Sequence, residues 1–357
     1  MQRKNTKLNF KGQEIYVGLD TGKKSWKVSI LTKDFEHKTF GQPPKPEVLV
    51  GYLRRNFPGA RYLCVYEAGY FGFWIYEALR QQGVECLVVN PADVPTKDKE
   101  RRNRNDTVDA RKLARSLRNG ELTALYVPER KALEDRSLVR MRMTMVKKQT
   151  RCKNQIKGVL SFYGYVTPDE LVRSHWSLQF INWLESLEFQ YGSGKQALQT
   201  LLEELKHLRQ SIAQLTRQIR ALTQQEPYRT NVQYLKSIPG ISIFTAMVLL
   251  TEIVDINRFK GLDHLASFVG LVPGEDSSGE QERNTGISRR RNAYLRALLI
   301  ESSWIAVRKD PALLMAFDKL KQRMPKNRAI VRIARKLLNR IRYVLKNQES
   351  YEPCVVS

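Results

Sequence analysis

The 357-residue chain is poor in the residues that build thiol and soft-metal chemistry. It has four cysteines, at 64, 86, 152 and 354, and four histidines, at 37, 175, 207 and 264. No two cysteines have zinc-ligand spacing and the histidines do not cluster, which argues against a zinc site and a disulfide framework. A metal bound by such a chain is hard and held by oxygen. No hydrophobic run reaches transmembrane length, so no membrane span is expected. The start, MQRKNTKLNF, lacks the apolar core of a signal peptide, and the chain reads as soluble and cytoplasmic. Acids are scarce: 36 Asp plus Glu stand against 61 Lys plus Arg, a net charge of +25. That excess points to a polyanionic partner, with nucleic acid the default. The length suggests two or three domains, and a hydrophobic fraction of 42% is enough for their cores.

The first third alternates short apolar runs with helical patterns. Glu14 to Asp20, EIYVGLD, reads as a strand; Lys27 to Leu31 reads as a second, with a third near Lys38 to Phe40. A helix over 46–56, a buried strand from Arg61 to Glu67, a helix over 72–82 and a strand over 84–89 follow. An antiparallel start followed by alternating strands and helices predicts an α/β domain with a mixed sheet. Asp20 and Glu67 end two strands, where open α/β sheets bind ligands. Asp106 and Asp109 lie one turn apart on the face of a further helix. Asp106 has two readings, an N-cap or a metal ligand beside phosphate. Glu77, Asp93, Asp98 and Glu100 read as solvated acids.

Farther on, Arg136 to Lys157 holds eight Lys or Arg and no acid, a basic amphipathic helix suited to phosphate contact. Leu198, Leu201, Leu205, Leu208, Ile212, Leu215, Ile219 and Leu222 form a heptad seam. That seam either pairs with the 136–160 helix or dimerises with a second chain. Leu235 to Ile241, followed by 244–253, reads as a helix-hairpin-helix offering amides to a phosphate, or as an ordinary packing corner. Pro273, Gly274, Gly279 and Gly286 predict a loop that carries Ser277, Ser278, Ser288, Arg283, Arg289, Arg290 and Arg291. A serine on such a loop can approach a phosphate while arginines neutralise the developing charge. Residues 319–346 hold eleven Lys or Arg and no acid around an apolar stripe, Ile330, Ile333, Leu337, Leu338, Ile341 and Leu345. One face of that helix is core and the other suits phosphate.

Taken together, GLD at 18–20, YEAG at 66–69, NDTVDARKLA at 105–114 and GLVP at 270–273, with a Ser-Gly pair four residues beyond, resemble a known family. It is that of the DEDD transposases of the insertion-sequence one-ten group, related to the Piv-type DNA invertases. The expected architecture is α/β plus α. An RNase H/RuvC-like domain over 1–125 precedes a basic and coiled-coil middle over 126–230 and a mostly helical transposase domain over 231–357. The resemblance implies that Asp20, Glu67, Asp106 and Asp109 bind Mg2+ and that Ser278, immediately before the glycine, is the nucleophile of a covalent phosphoserine. Arg283 and Arg289 to Arg291 are the candidate phosphate contacts. It further implies a structured bridge RNA as guide, DNA as substrate, and a homo-oligomer, dimer or tetramer, with sites shared between protomers. Two rivals stand beside this reading. A RuvC-like hydrolytic nuclease shares the acids without needing Ser278, and a non-catalytic nucleic-acid-binding protein uses the acids only as caps.

Overall fold

Strands β1 (Glu14–Thr21), β2 (Trp26–Leu31), β3 (Glu36–Gln42), β4 (Arg61–Glu67) and β5 (Glu85–Val89) form one sheet in the order β3-β2-β1-β4-β5. The β1–β2 and β2–β3 pairs are antiparallel, and β1–β4 and β4–β5 are parallel. The sheet is mixed, as the sequence pattern predicts. The structure is a computed structural model describing residues 9–95, 105–173, 175–278, 281–287 and 291–353, with 273–287 described by backbone alone. The chain divides into two compact units, Met1–Val127 and Pro128–Ser357.

In the first unit, successive side chains of each strand face opposite sides of the sheet. Ile15, Val17 and Leu19 of β1 and Trp26, Val28 and Ile30 of β2 are buried in one core with Leu49 and Leu53 of helix α1 (Pro46–Asn56) and Ile75 and Leu79 of α2 (Trp74–Gln81). Each such side chain contributes roughly 1.5–3 kcal/mol of burial. The alternate residues of β1, Tyr16, Gly18 and Asp20, therefore face the other side. Helix α3 (Asp106–Arg118) covers that side, where Leu113 and Leu117 pack with Val65 and Val89. Gly18 makes the approach possible. A Cβ there would lie 2.1 Å from the Ala110 carbonyl oxygen and 2.5 Å from the Ala114 nitrogen. The glycine of GLD thus sets how closely α3 lies on β1.

Among the described residues, the second unit is helical apart from one hairpin. Its elements are α4 (Arg130–Phe162), α5 (Asp169–Val172), α6 (Leu178–Ser186), α7 (Gly192–Leu222), α8 (Tyr228–Lys236), α9 (Ile243–Ile253), α10 (Leu262–Val269), strands β6 (Pro273–Ser278) and β7 (Gln281–Ile287), α11 (Ala293–Lys309), α12 (Pro311–Lys321) and α13 (Lys326–Asn347). The heptad stretch lies on α7, which runs antiparallel to α4 in the same chain. Arg142 donates to the Thr216 hydroxyl and the Cys152 thiol reaches the Leu201 carbonyl. Leu198, Leu202, Leu205 and Leu208 are buried against Cys152, Ile156 and Leu160 of α4 and Phe180 and Leu184 of α6. Ile212 and Leu215 are only half-buried. A separate core gathers α8 to α13, with Ile330, Ile333, Leu337, Leu338, Ile341 and Leu345 of the apolar stripe inside it. Among the described residues, no helix is long and apolar enough to cross a membrane.

Three local expectations change. The serine segment is no loop where it is described. Residues 273–278 and 281–287 pair as antiparallel strands, with Asp276 opposite Arg283 and Ser278 opposite Gln281. The Pro239–Gly240 turn favours the packing corner over the phosphate-presenting hairpin. A Cβ on Gly240, whose φ is +90°, would lie 2.5 Å from the Ser302 carbonyl oxygen of α11. The following amide of Thr245 is capped by Ser242 at 3.1 Å. Finally, part of the basic run on α4 serves the interior. Arg140 forks onto the buried Glu252 carboxylate at 2.6 and 2.8 Å, and Arg136 donates to the Thr251 carbonyl at 2.8 Å.

Candidate active site

Four acids meet at the carboxyl ends of the parallel strands. Asp20 is the penultimate residue of β1 and Glu67 the last of β4, each on the face that α3 covers. Asp106 and Asp109 occupy the first turn of α3. The N-cap is Asn105, whose side-chain oxygen accepts from the Thr107 amide at 3.0 Å. Asp106 is therefore not the cap, and its carboxylate is left exposed at the helix start. Both acids gain from the positive end of the helix dipole.

The charges of the other three act on Asp20. The Asp20 carboxyl is pushed up from 3.8 to about 6, first by burial and then by the charges of Asp106, Asp109 and Glu67, while Lys112 opposes the shift. Lys112 is buried. Its ammonium donates to Asp109 Oδ1 at 3.2 Å and lies 3.7 Å from Glu67 Oε1. Lys112 is not singled out by the sequence. Its position three residues after Asp109, on one helical face, was the available signal.

Hard oxygen donors close enough for three of them to raise the pKa of Asp20 fit a divalent cation such as Mg2+. The Lys112 ammonium already stands between two of them as an internal cation. Among the described residues, no three acids close into a ready chelate.

The serine segment belongs to the second unit and is described there by itself. Ser278 is the last residue of β6, and Arg283 lies in β7. Arg289 and Arg290, with Ser288, lie outside the described residues, as do Asp98 and Glu100. Arg291 is exposed, just before the α11 N-cap Asn292. Both ends of the hairpin are tied to the core. Arg296 donates to the Gly270 carbonyl at 3.0 Å, and the Asn292 amide group donates to Glu252 Oε2 at 2.7 Å. Glu252 thus joins α4, α9 and the start of α11. It was not singled out in the sequence, because its partner Arg140 is 112 residues away. Nearby, a cavity of about 1000 Å³ is bounded by Leu271, Val272, Arg328, Arg332 and Lys336, so exposed cations of α13 line a recess beside the hairpin's entry.

Fold and site define a class: a mixed α/β unit with carboxylates converging at its strand ends, joined in one chain to a strongly basic helical unit. Residues 17–165 match the DEDD transposase family of the IS110 type, and residues 232–318 match the family described as Transposase IS116/IS110/IS902. The chain is 32% identical over 245 residues to the putative transposase y4qE of Sinorhizobium fredii, covering 68% of this chain and 58% of that protein. It is 28% identical over 280 residues to the transposase for insertion sequence element IS1111A of Coxiella burnetii, 77% of this chain and 75% of the relative. A probable family 20 transposase of Pseudomonas aeruginosa is 27% identical over 345 residues, 94% of this chain and 98% of the relative. The chain belongs to the IS110/IS116 family of DEDD transposases.

Proposed function

We propose that the chain is a DNA transposase that cuts and rejoins strands through a phosphoserine at Ser278. The observation that supports this reading is the electrostatic coupling of Asp20 to Asp106, Asp109 and Glu67, with the Lys112 ammonium between Asp109 and Glu67. Those four residues would hold Mg2+ in what the reading takes to be an RNase H/RuvC-like domain. A bound Mg2+ polarises the phosphate oxygens and offsets their charge. The Ser278 hydroxyl loses its proton and its oxygen bonds phosphorus. The P–O bond to one sugar breaks, and that sugar oxygen takes up a proton. Rejoining reverses the step, so no ATP is consumed. Arg283 and Arg289 to Arg291 contact the phosphate in this scheme.

On this reading the protein acts on nucleoid DNA in the cytoplasm as a dimer or tetramer, with one protomer's serine serving another's carboxylates. A structured bridge RNA supplies sequence readout, and α4–α7 is the coiled-coil spacer of a three-part chain. The test is a denaturing gel after incubation with DNA and Mg2+. A protein–DNA adduct that is lost in Ser278→Ala supports the serine mechanism. Strand cleavage retained by Ser278→Ala favours a hydrolytic nuclease. No cleavage by the parent chain favours a binding protein.

A further inference from the structure

The connections that leave the two carboxylate-bearing strand ends meet each other. Lys23 lies in the β1–β2 connection, three residues past Asp20, and Tyr70 lies in the β4–α2 connection, three residues past Glu67. The Lys23 ammonium stands 4.7 Å from the centre of the Tyr70 ring. Yet Tyr70 is 83% exposed. Its neighbour Phe71 packs against the core of the first unit and meets the Tyr70 ring edge-on, with centroids 5.6 Å apart.

The segment that presents Tyr70 is fixed at several points. The Ala68 amide donates to the Val89 carbonyl at 2.8 Å, and the Gly72 amide donates to the Gly69 carbonyl at 3.1 Å. The Tyr66 hydroxyl donates to the Gly72 carbonyl at 3.0 Å. The backbone is thus held while the phenol ring is left in water. Packing does not account for a ring displayed this way, since Phe71 supplies the anchor.

A ring that is 83% exposed, with a cation over one face, offers single-stranded nucleic acid its other face for a base and the ammonium for a phosphate. Three residues of chain reach at most about 11 Å, a span that about three nucleotide steps of a stacked strand cover. A base held on Tyr70 would therefore belong to the same strand, within a few nucleotides of a phosphate at the carboxylates.

We propose that Tyr70 is a positioning residue, a stacking platform for an unpaired base of the DNA strand being cut, with Lys23 on a neighbouring phosphate. This rests on the DNA-processing reading above. Stacking tolerates any base, so the contact fixes the strand without reading its sequence.

The experiment uses the full chain, Ca2+ in place of Mg2+, and a single-stranded oligonucleotide carrying 5-iodouracil, which crosslinks to stacked aromatic rings under ultraviolet light. Mass spectrometry is expected to place a crosslink on Tyr70. Tyr70→Ala should weaken binding on the order of tenfold, and Tyr70→Trp should restore it. A strand that binds the parent chain and crosslinks only elsewhere, with Tyr70→Ala binding equally well, overturns the stacking platform and leaves the transposase reading standing. A parent chain that does not bind the oligonucleotide also overturns the stacking platform, while the transposase reading stands or falls on the adduct gel.

Discussion

Replacing Asp20 by asparagine should stabilise the metal-free protein, although it removes a residue assigned to the active site. The Asp20 carboxyl titrates near 6 in the folded chain against 3.8 ordinarily, because burial and three neighbouring acids disfavour its charge. A raised carboxylate value means that ionisation costs the fold. The cost is absent well below 3.8, grows as pH rises from there to 6, and is complete above 6. Two units amount to about 3 kcal/mol at 1.36 kcal/mol per unit. Asp20 is half-exposed, and solvent screening cuts this to about 1.5 kcal/mol. Asparagine keeps the shape and removes the charge. Hydrogen exchange of the β1 and β4 amides in EDTA at pH 8 should therefore be roughly tenfold slower in Asp20→Asn than in the parent. The gain should shrink steadily between pH 6 and pH 4. A variant exchanging as fast as the parent at pH 8, or a gain unchanged at pH 4, would refute the reasoning.

Two further outcomes follow from the packing. Gly18→Ala forces a Cβ into the Ala110 carbonyl and the Ala114 nitrogen, so α3 must lift from β1. It should cost about 3 kcal/mol and separate Asp109 from Asp20, read as a lower unfolding midpoint together with weaker Mg2+ binding by calorimetry. Glu252→Gln leaves Arg140 without its counter-charge and loosens Asn292 at the end of the serine hairpin. A loss of about 3 kcal/mol in urea unfolding is expected, with exchange at 291–296 accelerated even in folded protein.

Much of the first unit was legible because its strands are short apolar runs that end at acids. RYLCVYE can hardly be anything but a buried strand, and its terminal glutamate then lies at the carboxyl end of that strand. What escaped the sequence depended on distant partners. Lys112 sits in RKLAR, a pattern that reads as solvated until Glu67 and Asp109 are placed beside it. Arg136 and Arg140 look free for phosphate until Glu252 and Thr251 pack against them. Asn105 and Asp106 are equally good caps by residue type, so only backbone geometry separates them. The β6–β7 hairpin is polar, with almost no β-branched residues, and offers none of the alternation by which strands are recognised. The seam on α7 gave its period but not its partner, which the buried contacts with α4 supply within one chain.

The most direct test of the central claim is peptide mapping of the protein–DNA adduct. After reaction with DNA and Mg2+, nuclease trimming and proteolysis, mass spectrometry should locate the residual nucleotide on Ser278. A nucleotide on Ser277 or on any other residue, or cleaved DNA with no protein adduct at all, would contradict it.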